Sequence, residues 1–142
     1  MEAFMVKVRE FREEDQDAMT ALEPMCMRMR GEDVNGTAYT VLDDERVICV
    51  CGVQILWEGV GEAWAMVDAH FGKVVRALAQ VRVIADYFMA RHGLWRMQSH
   101  MMADWDPGKK FVEKLGFKRE HTEPLRKWFP DGSDCLIYAR VL

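Results

Sequence analysis

The chain has 142 residues, 50% of them hydrophobic and 30% charged, which suits one folded domain and excludes a disordered or low-complexity chain. Nineteen Lys and Arg against 23 Asp and Glu leave a net charge of −4, so no general basic field draws nucleic acid or anionic lipid. Its apolar runs fall well short of the roughly 20 residues that cross a bilayer, and the opening MEAFMVKVREFREED is unlike a secretory leader, so a cytoplasmic protein with no membrane partner is expected.

Residues 4–11, FMVKVREF, alternate apolar and polar, with Phe4, Val6 and Val8 on one face, and read as a strand. Residues 12–30 follow as a helix. Glu14 and Asp15 lie in its first turn, where the dipole favours acids. Ala18, Leu22, Met25 and Met29 form its apolar stripe, Gly31 stops it, and Pro24 should kink it. Residues 37–42 and 46–57 read as strands about a polar turn at Asp43, Asp44 and Glu45. The second brings Cys49 and Cys51 to one face without a CxxC spacing. These two, with Cys26 and Cys135, are expected as reduced thiols that bind no metal. A turn over 58–61 leads to a strand over 62–68, EAWAMVD, completing a three-stranded antiparallel meander.

The period then changes to 3.6. Val74, Leu78, Val81, Ala85 and Phe88 fall at helical spacing between residues 73 and 92, and Gly93 ends the run. Residues 94–102 form a strand. Asp106 as N-cap and Pro107 as first helical residue open a short helix, with Phe111, Val112 and Leu115 inward and Gly116 ending it. Phe117 starts a strand toward Trp128, Asp131 and Gly132 make a turn, and residues 133–141 form the closing strand. No repeat or linker interrupts the pattern. The order β-α-β-β-β-α-β-α-β-β predicts a single α/β domain over residues 1–142, a mixed, mostly antiparallel sheet of about seven strands flanked by helices.

That order, with the local sequence FVEKLGF over residues 111–117, resembles the GNAT superfamily of acetyl-CoA-dependent N-acetyltransferases. The resemblance implies that the strand over 64–68 splays from its neighbour and that acetyl-CoA lies in the opening. The cofactor-binding residues are then Met66 and Val67 on the strand, and Phe71, Gly72, Lys73, Val74, Val75 and Arg76 around the helix start. There the amides and the dipole favour the pyrophosphate. It implies transfer of the acetyl group to a small amine or a protein amine, with a base to take the amine's proton and an acid to protonate the thiolate. Asp68 and His100 are the leading candidates for base. Glu62 and His70 stand on the same strand and loop, while His92 and His121 read as helix-end and surface residues.

Two places depart from the family pattern. The phosphate loop there usually reads Arg or Gln, two residues, Gly, one residue, then Gly or Ala. Here it is HFGKVVRAL, with Lys73 and Val75 where small residues are expected. The tyrosine common just before E-K-L-G-F is Val112, and the asparagine often found seven residues earlier is Trp105. Tyr138 is the remaining tyrosine near enough to consider, and it reads as a core residue.

A second resemblance, to small internal virion proteins of tailed phages related to the GNAT fold, rests on EAWAMV, GKVVRAL and the final K-L-G-F strand pair. It implies a catalytically silent protein that acts inside a phage particle through a protein partner or a second copy. Eleven methionines and five tryptophans, with Met25, Met27 and Met29 beside Cys26 and Met101 and Met102 after His100, suit an adaptable contact surface. No HxxxH, CxxC or HxE spacing marks a metal site, and no G-x-x-x-x-G-K-[ST] loop is present.

Overall fold

The computed structural model describes residues 6–18, 38–68 and 74–142. Along them run β1 (Val6–Glu10), a 3-10 helix (Glu13–Ala18), β2 (Ala38–Asp43), β3 (Arg46–Trp57), β4 (Val60–Val67), α1 (Val74–Arg91), β5 (Arg96–Met102), α2 (Asp106–Lys114), β6 (Lys118–Arg119) and β7 (Cys135–Val141). The strands form a seven-stranded sheet in the order β1-β2-β3-β4-β5-β7-β6. β4 and β5 pair in parallel, while β1–β2, β2–β3, β5–β7 and β6–β7 are antiparallel. The mixed, mostly antiparallel α/β architecture expected from the sequence is therefore present. Its parallel step falls where α1 supplies the crossover that a parallel pair requires. The helix expected over residues 12–30 is seen as the 3-10 helix; its remainder, with Pro24, Cys26 and the neighbouring methionines, lies outside the described residues.

The chain groups into two compact units, each built from two stretches of sequence. The first comprises Met1–Gln54 and Ala63–Val81. Its apolar cluster is Leu42, Val47, Val50 and Met66, with Phe11 and Trp64 against it. The Phe11 and Trp64 rings meet edge to face at 6.5 Å, the geometry their quadrupoles favour. Cys49 and Cys51 are buried free thiols on one face of β3. Their mutual hydrogen bond and burial push the Cys49 thiol well up, which makes it a poor nucleophile. Val8, on the alternating apolar face of β1, is 41% exposed. It sits on the outermost strand, which has a neighbour on one side only.

Asp15 is the buried ionic centre of this unit, with 4% of its surface exposed. Arg9 donates both guanidinium nitrogens to its carboxylate at 2.7 and 2.8 Å. The Thr40 hydroxyl donates at 2.6 Å and the Arg12 amide at 2.9 Å. The last of these satisfies a backbone donor from three residues further on, as the acidic residue of a capping box does. Burial pushes the carboxyl up, but the hydrogen bonds from Arg9, Thr40 and Arg12 outweigh it and hold the group at about 2.

The second unit comprises Ile55–Glu62 and Arg82–Leu142. β5 and β7 pair from Arg96↔Val141 to Met102↔Cys135. In α1, Ile84, Ala85, Phe88 and Met89 are buried while Val83 and Tyr87 are exposed, the helical period read from the sequence. In α2 the N-cap is Trp105, one residue before the expected Asp106, and no side chain caps it. Asp106 instead lies in the first turn and pairs with Lys109 at 3.0 Å. Gly116 has φ +93°. Its amide donates to the Glu113 carbonyl at 3.0 Å, and that of Phe117 donates to the Val112 carbonyl at 3.1 Å. This closes the helix as a left-handed C-terminal turn does. Val112, Leu115 and Phe117 are buried, whereas Phe111, expected beside them, is only half-buried.

After Phe117 the expected long strand shortens to β6 and an isolated bridge, Leu125↔Cys135. Pro124 lacks an amide to donate, and Lys127 at φ +53° breaks the extended run. Gly59 turns the chain between β3 and β4 at φ +81°, and its carbonyl accepts the amides of Trp95 and Arg96 at 2.9 and 3.0 Å. A Cβ at Gly59 would fall within the Trp95 indole. Gly59→Ala is therefore expected to cost about 2 kcal/mol or more from backbone strain and overpacking, read from the urea midpoint at unchanged slope. A loss under about 0.5 kcal/mol would show that the turn relaxes freely.

Candidate active site

In the second unit β4 and β5 pair at Val60↔Arg96, Gly61↔Met97 and Glu62↔Gln98. His100 lies two residues beyond the last of these pairs, on the same face of β5 as Gln98. Its backbone N–H is met by a side chain: Glu62 Oε1 accepts it at 3.2 Å. The same oxygen lies in a short contact with His100 Nδ1. Facing a carboxylate, Nδ1 must carry the proton, which assigns the lone pair to Nε2. The two side chains are 24% and 20% exposed.

The hydrogen bond to Glu62 raises the His100 pKa above its ordinary value; burial works in the opposite direction. Glu62 Oε2 is buried and has no hydrogen-bond partner among the described residues. A positive charge on the imidazole, gained when Nε2 takes a proton, would be stabilised by a carboxylate beside it. The Trp128 indole stacks on the imidazole with centroids 5.2 Å apart and planes within 8°. The group is thus a histidine fixed at one edge by an acid and on one face by an aromatic ring. It can accept a proton at Nε2 and stabilise the charge that results.

Asp68, in the first unit, closes β4. It is 3% exposed, its Oδ2 lies 3.2 Å from Arg46, and its amide donates to the Ile48 carbonyl at 3.0 Å. Met66 and Val67 are buried at the end of the same strand. Val74, Val75 and Arg76 open α1, whose first turn carries no acidic residue, so no side-chain charge there competes with an anion for the amides. His70, Phe71, Gly72 and Lys73 lie outside the described residues.

The position where the family places its acid, Val112, is buried. Tyr138 is 2% exposed and donates its hydroxyl to Glu113 at 3.4 Å. Burial pushes that phenol up, in keeping with a core residue. His92 follows α1 and is lowered by burial. His121, expected at the surface, is half-buried. It accepts the Ile137 amide at Nε2, 2.9 Å away, and lies 2.6 Å from the Glu123 carbonyl through Nδ1. It ties the loop to β7. The Glu62–His100 pair spans 38 residues and the His100–Trp128 stack is equally non-local, so no short motif announces either. Both Glu62 and His100 stood among the base candidates, but separately.

Among the described residues no three His, Cys, Asp or Glu converge as metal ligands, and no helix is long and apolar enough to cross a membrane. No protein-family model matches the sequence, and no curated protein matches it either. Solved structures do match. An acetyltransferase (GNAT family) from Bacillus anthracis superposes with TM-score 0.76 at 15% identity, covering 96% of this chain and 94% of that one. Ard1 from Thermoplasma volcanium gives 0.77 at 14% identity over 96% and 97%. The ribosomal-protein-S18-alanine N-acetyltransferase from Escherichia coli gives 0.71 at 16% identity over 96% and 94%. At such identities the likeness is one of architecture, and it extends over nearly the whole chain: this protein has the fold of the GNAT-family acetyltransferases.

Proposed function

We propose that the chain transfers an acetyl group from acetyl-CoA to a primary amine, with His100 as general base and Glu62 as the residue that orients it. The observation that supports this reading is the Glu62–His100 contact, which leaves Nε2 free to take a proton. Acetyl-CoA, when bound, supplies a thioester carbonyl for the amine to attack. Met66 and Val67, with Phe71, Gly72, Lys73, Val74, Val75 and Arg76, are the residues proposed to hold it. His100 receives the amine's proton at Nε2, and Glu62 stabilises the imidazolium. Asp68 is the second candidate base, and its ion pair with Arg46 argues for a role in securing the end of β4. The acceptor is proposed to be a small amine or a protein amine; for the latter, a peptide with N-terminal alanine is the probe, by analogy with the ribosomal-protein-S18-alanine N-acetyltransferase that shares its architecture.

The second reading, a catalytically silent phage-type protein acting through another protein or a second copy, is favoured by one specific observation. Val112 and Tyr138 are both buried, which leaves the family's usual acid without a replacement on α2 or β7.

Incubation with acetyl-CoA and a panel of small amines and an alanine peptide separates the two. Transfer predicts release of the free thiol together with an acceptor heavier by one acetyl group. No thiol release and no acetylated acceptor would favour the silent reading; thiol release without an acetylated amine would be hydrolysis, and would overturn the amine as acceptor.

A further inference from the structure

Trp128 is 54% exposed, so burial does not explain its position. The loop that carries it is closed on itself. The amides of Trp128 and Phe129 both donate to the Ser133 carbonyl at 3.1 Å, and that of Gly132 donates to the Phe129 carbonyl at 2.8 Å. The Lys127 amide donates to Asp134 Oδ1 at 2.9 Å. Asp131 accepts both the amide and the hydroxyl of Ser133, at 2.9 and 2.6 Å. Two backbone bonds between Leu125 and Cys135, 2.8 and 2.9 Å, close the base of the loop on β7. Lys127 adopts φ +53°, a conformation a lysine enters only at a cost. These bonds fix the loop backbone that carries the indole, and the indole stacks on His100.

We infer that Trp128 is a positioning residue for His100: its indole holds the imidazole plane in place and stabilises the imidazolium formed when Nε2 takes a proton. The indole, parallel within 8° at 5.2 Å, covers one face of the imidazole, and the Glu62 contact at Nδ1 fixes its edge. A cation over an indole face gains more than a neutral ring does. Around His100, β4 brings Glu62, β7 sets the apolar Ile137 opposite it, and the loop brings Trp128. Among the described residues Glu62 is the charged group that acts on the ring, and the indole meets one of its faces. The inference rests on the acetyl-transfer reading only for the use made of that proton.

The test is a nuclear magnetic resonance titration of the His100 ring in the full chain without acetyl-CoA. Trp128→Leu keeps an apolar side chain and removes the aromatic face; Trp128→Phe keeps a face. In Trp128→Leu the proton should bind His100 about threefold more weakly than in the parent, and Trp128→Phe should restore most of the difference. Equal titration in all three proteins would overturn the inference. A measurement on the parent needs no variant: the indole ring current should move the His100 carbon-bound ring protons upfield, and unshifted protons would overturn it too. A parent that shifts and titrates as expected but transfers no acetyl group would sink the proposed function and leave this inference standing. Normal transfer with an unmoved titration would do the reverse.

Discussion

Replacing His100 by alanine is expected to lower acetyl transfer about a hundredfold or more at saturating acceptor, the usual worth of a positioned general base. The fold should persist, because the side chain is partly exposed and β5 keeps its pairing with β7 along its length. Glu62→Gln gives the finer reading. A base acts only when unprotonated, so transfer rises with pH through the His100 pKa. The Glu62 hydrogen bond raises that pKa; without the carboxylate charge the rise should move to lower pH. The slope of kcat/KM against pH in the two proteins checks it. An unchanged profile in Glu62→Gln, or a His100→Ala protein as fast as the parent, would assign the base elsewhere, with Asp68 next to be tested.

Asp15→Ala should be the most damaging single change to stability among the polar residues described, costing about 3 kcal/mol. It leaves the Thr40 hydroxyl, itself fully buried, and the Arg12 amide without the acceptor they share, and it strands the Arg9 guanidinium. The pH dependence has a definite sign. The folded carboxyl sits at about 2 against an ordinary 3.8, so its contribution is complete above the unfolded value and is lost as pH falls through about 2. The linkage is worth roughly 2 kcal/mol. Urea unfolding near neutrality should separate parent and variant by the full amount, and the gap should narrow in acid. A gap that stays constant below pH 3 would show that Asp15 contributes by shape rather than by charge.

Much of the fold was legible because it rests on local period. Alternation located β1, the β-branched run located β3, the 3.6 repeat located α1, and Gly93 and Gly116 ended their helices at φ +60° and +93°. The errors have physical reasons. Val8 alternates correctly but sits on an edge strand, where alternation does not guarantee cover. Phe111 has the spacing of a core residue, yet α2 turns its buried face toward Val112 and Leu115. The segment toward Trp128 has strand-like composition, but Pro124 and the loop's own hydrogen bonds overrule it. The candidate site was less legible. Its residue types were visible one at a time. Their meeting depends on the register of β4 against β5, which is set by the crossover through α1 and not by any neighbouring residues. Trp128 was read as the end of a strand, and only the closed loop brings it over His100.

Acetyl-CoA binding measured by calorimetry bears on the account most directly, because every step proposed for His100 presupposes it. The parent protein should give a saturable heat with acetyl-CoA. Lys73→Ala should weaken binding if, as proposed, Lys73 is among the residues that hold the diphosphate. Val75→Gly should tighten it about tenfold by letting the backbone approach, since a hydrogen bond to a charged group is worth about 1.5–3 kcal/mol. No heat with the parent protein, and none restored by Val75→Gly, would contradict the acetyltransferase reading and leave the silent one in its place.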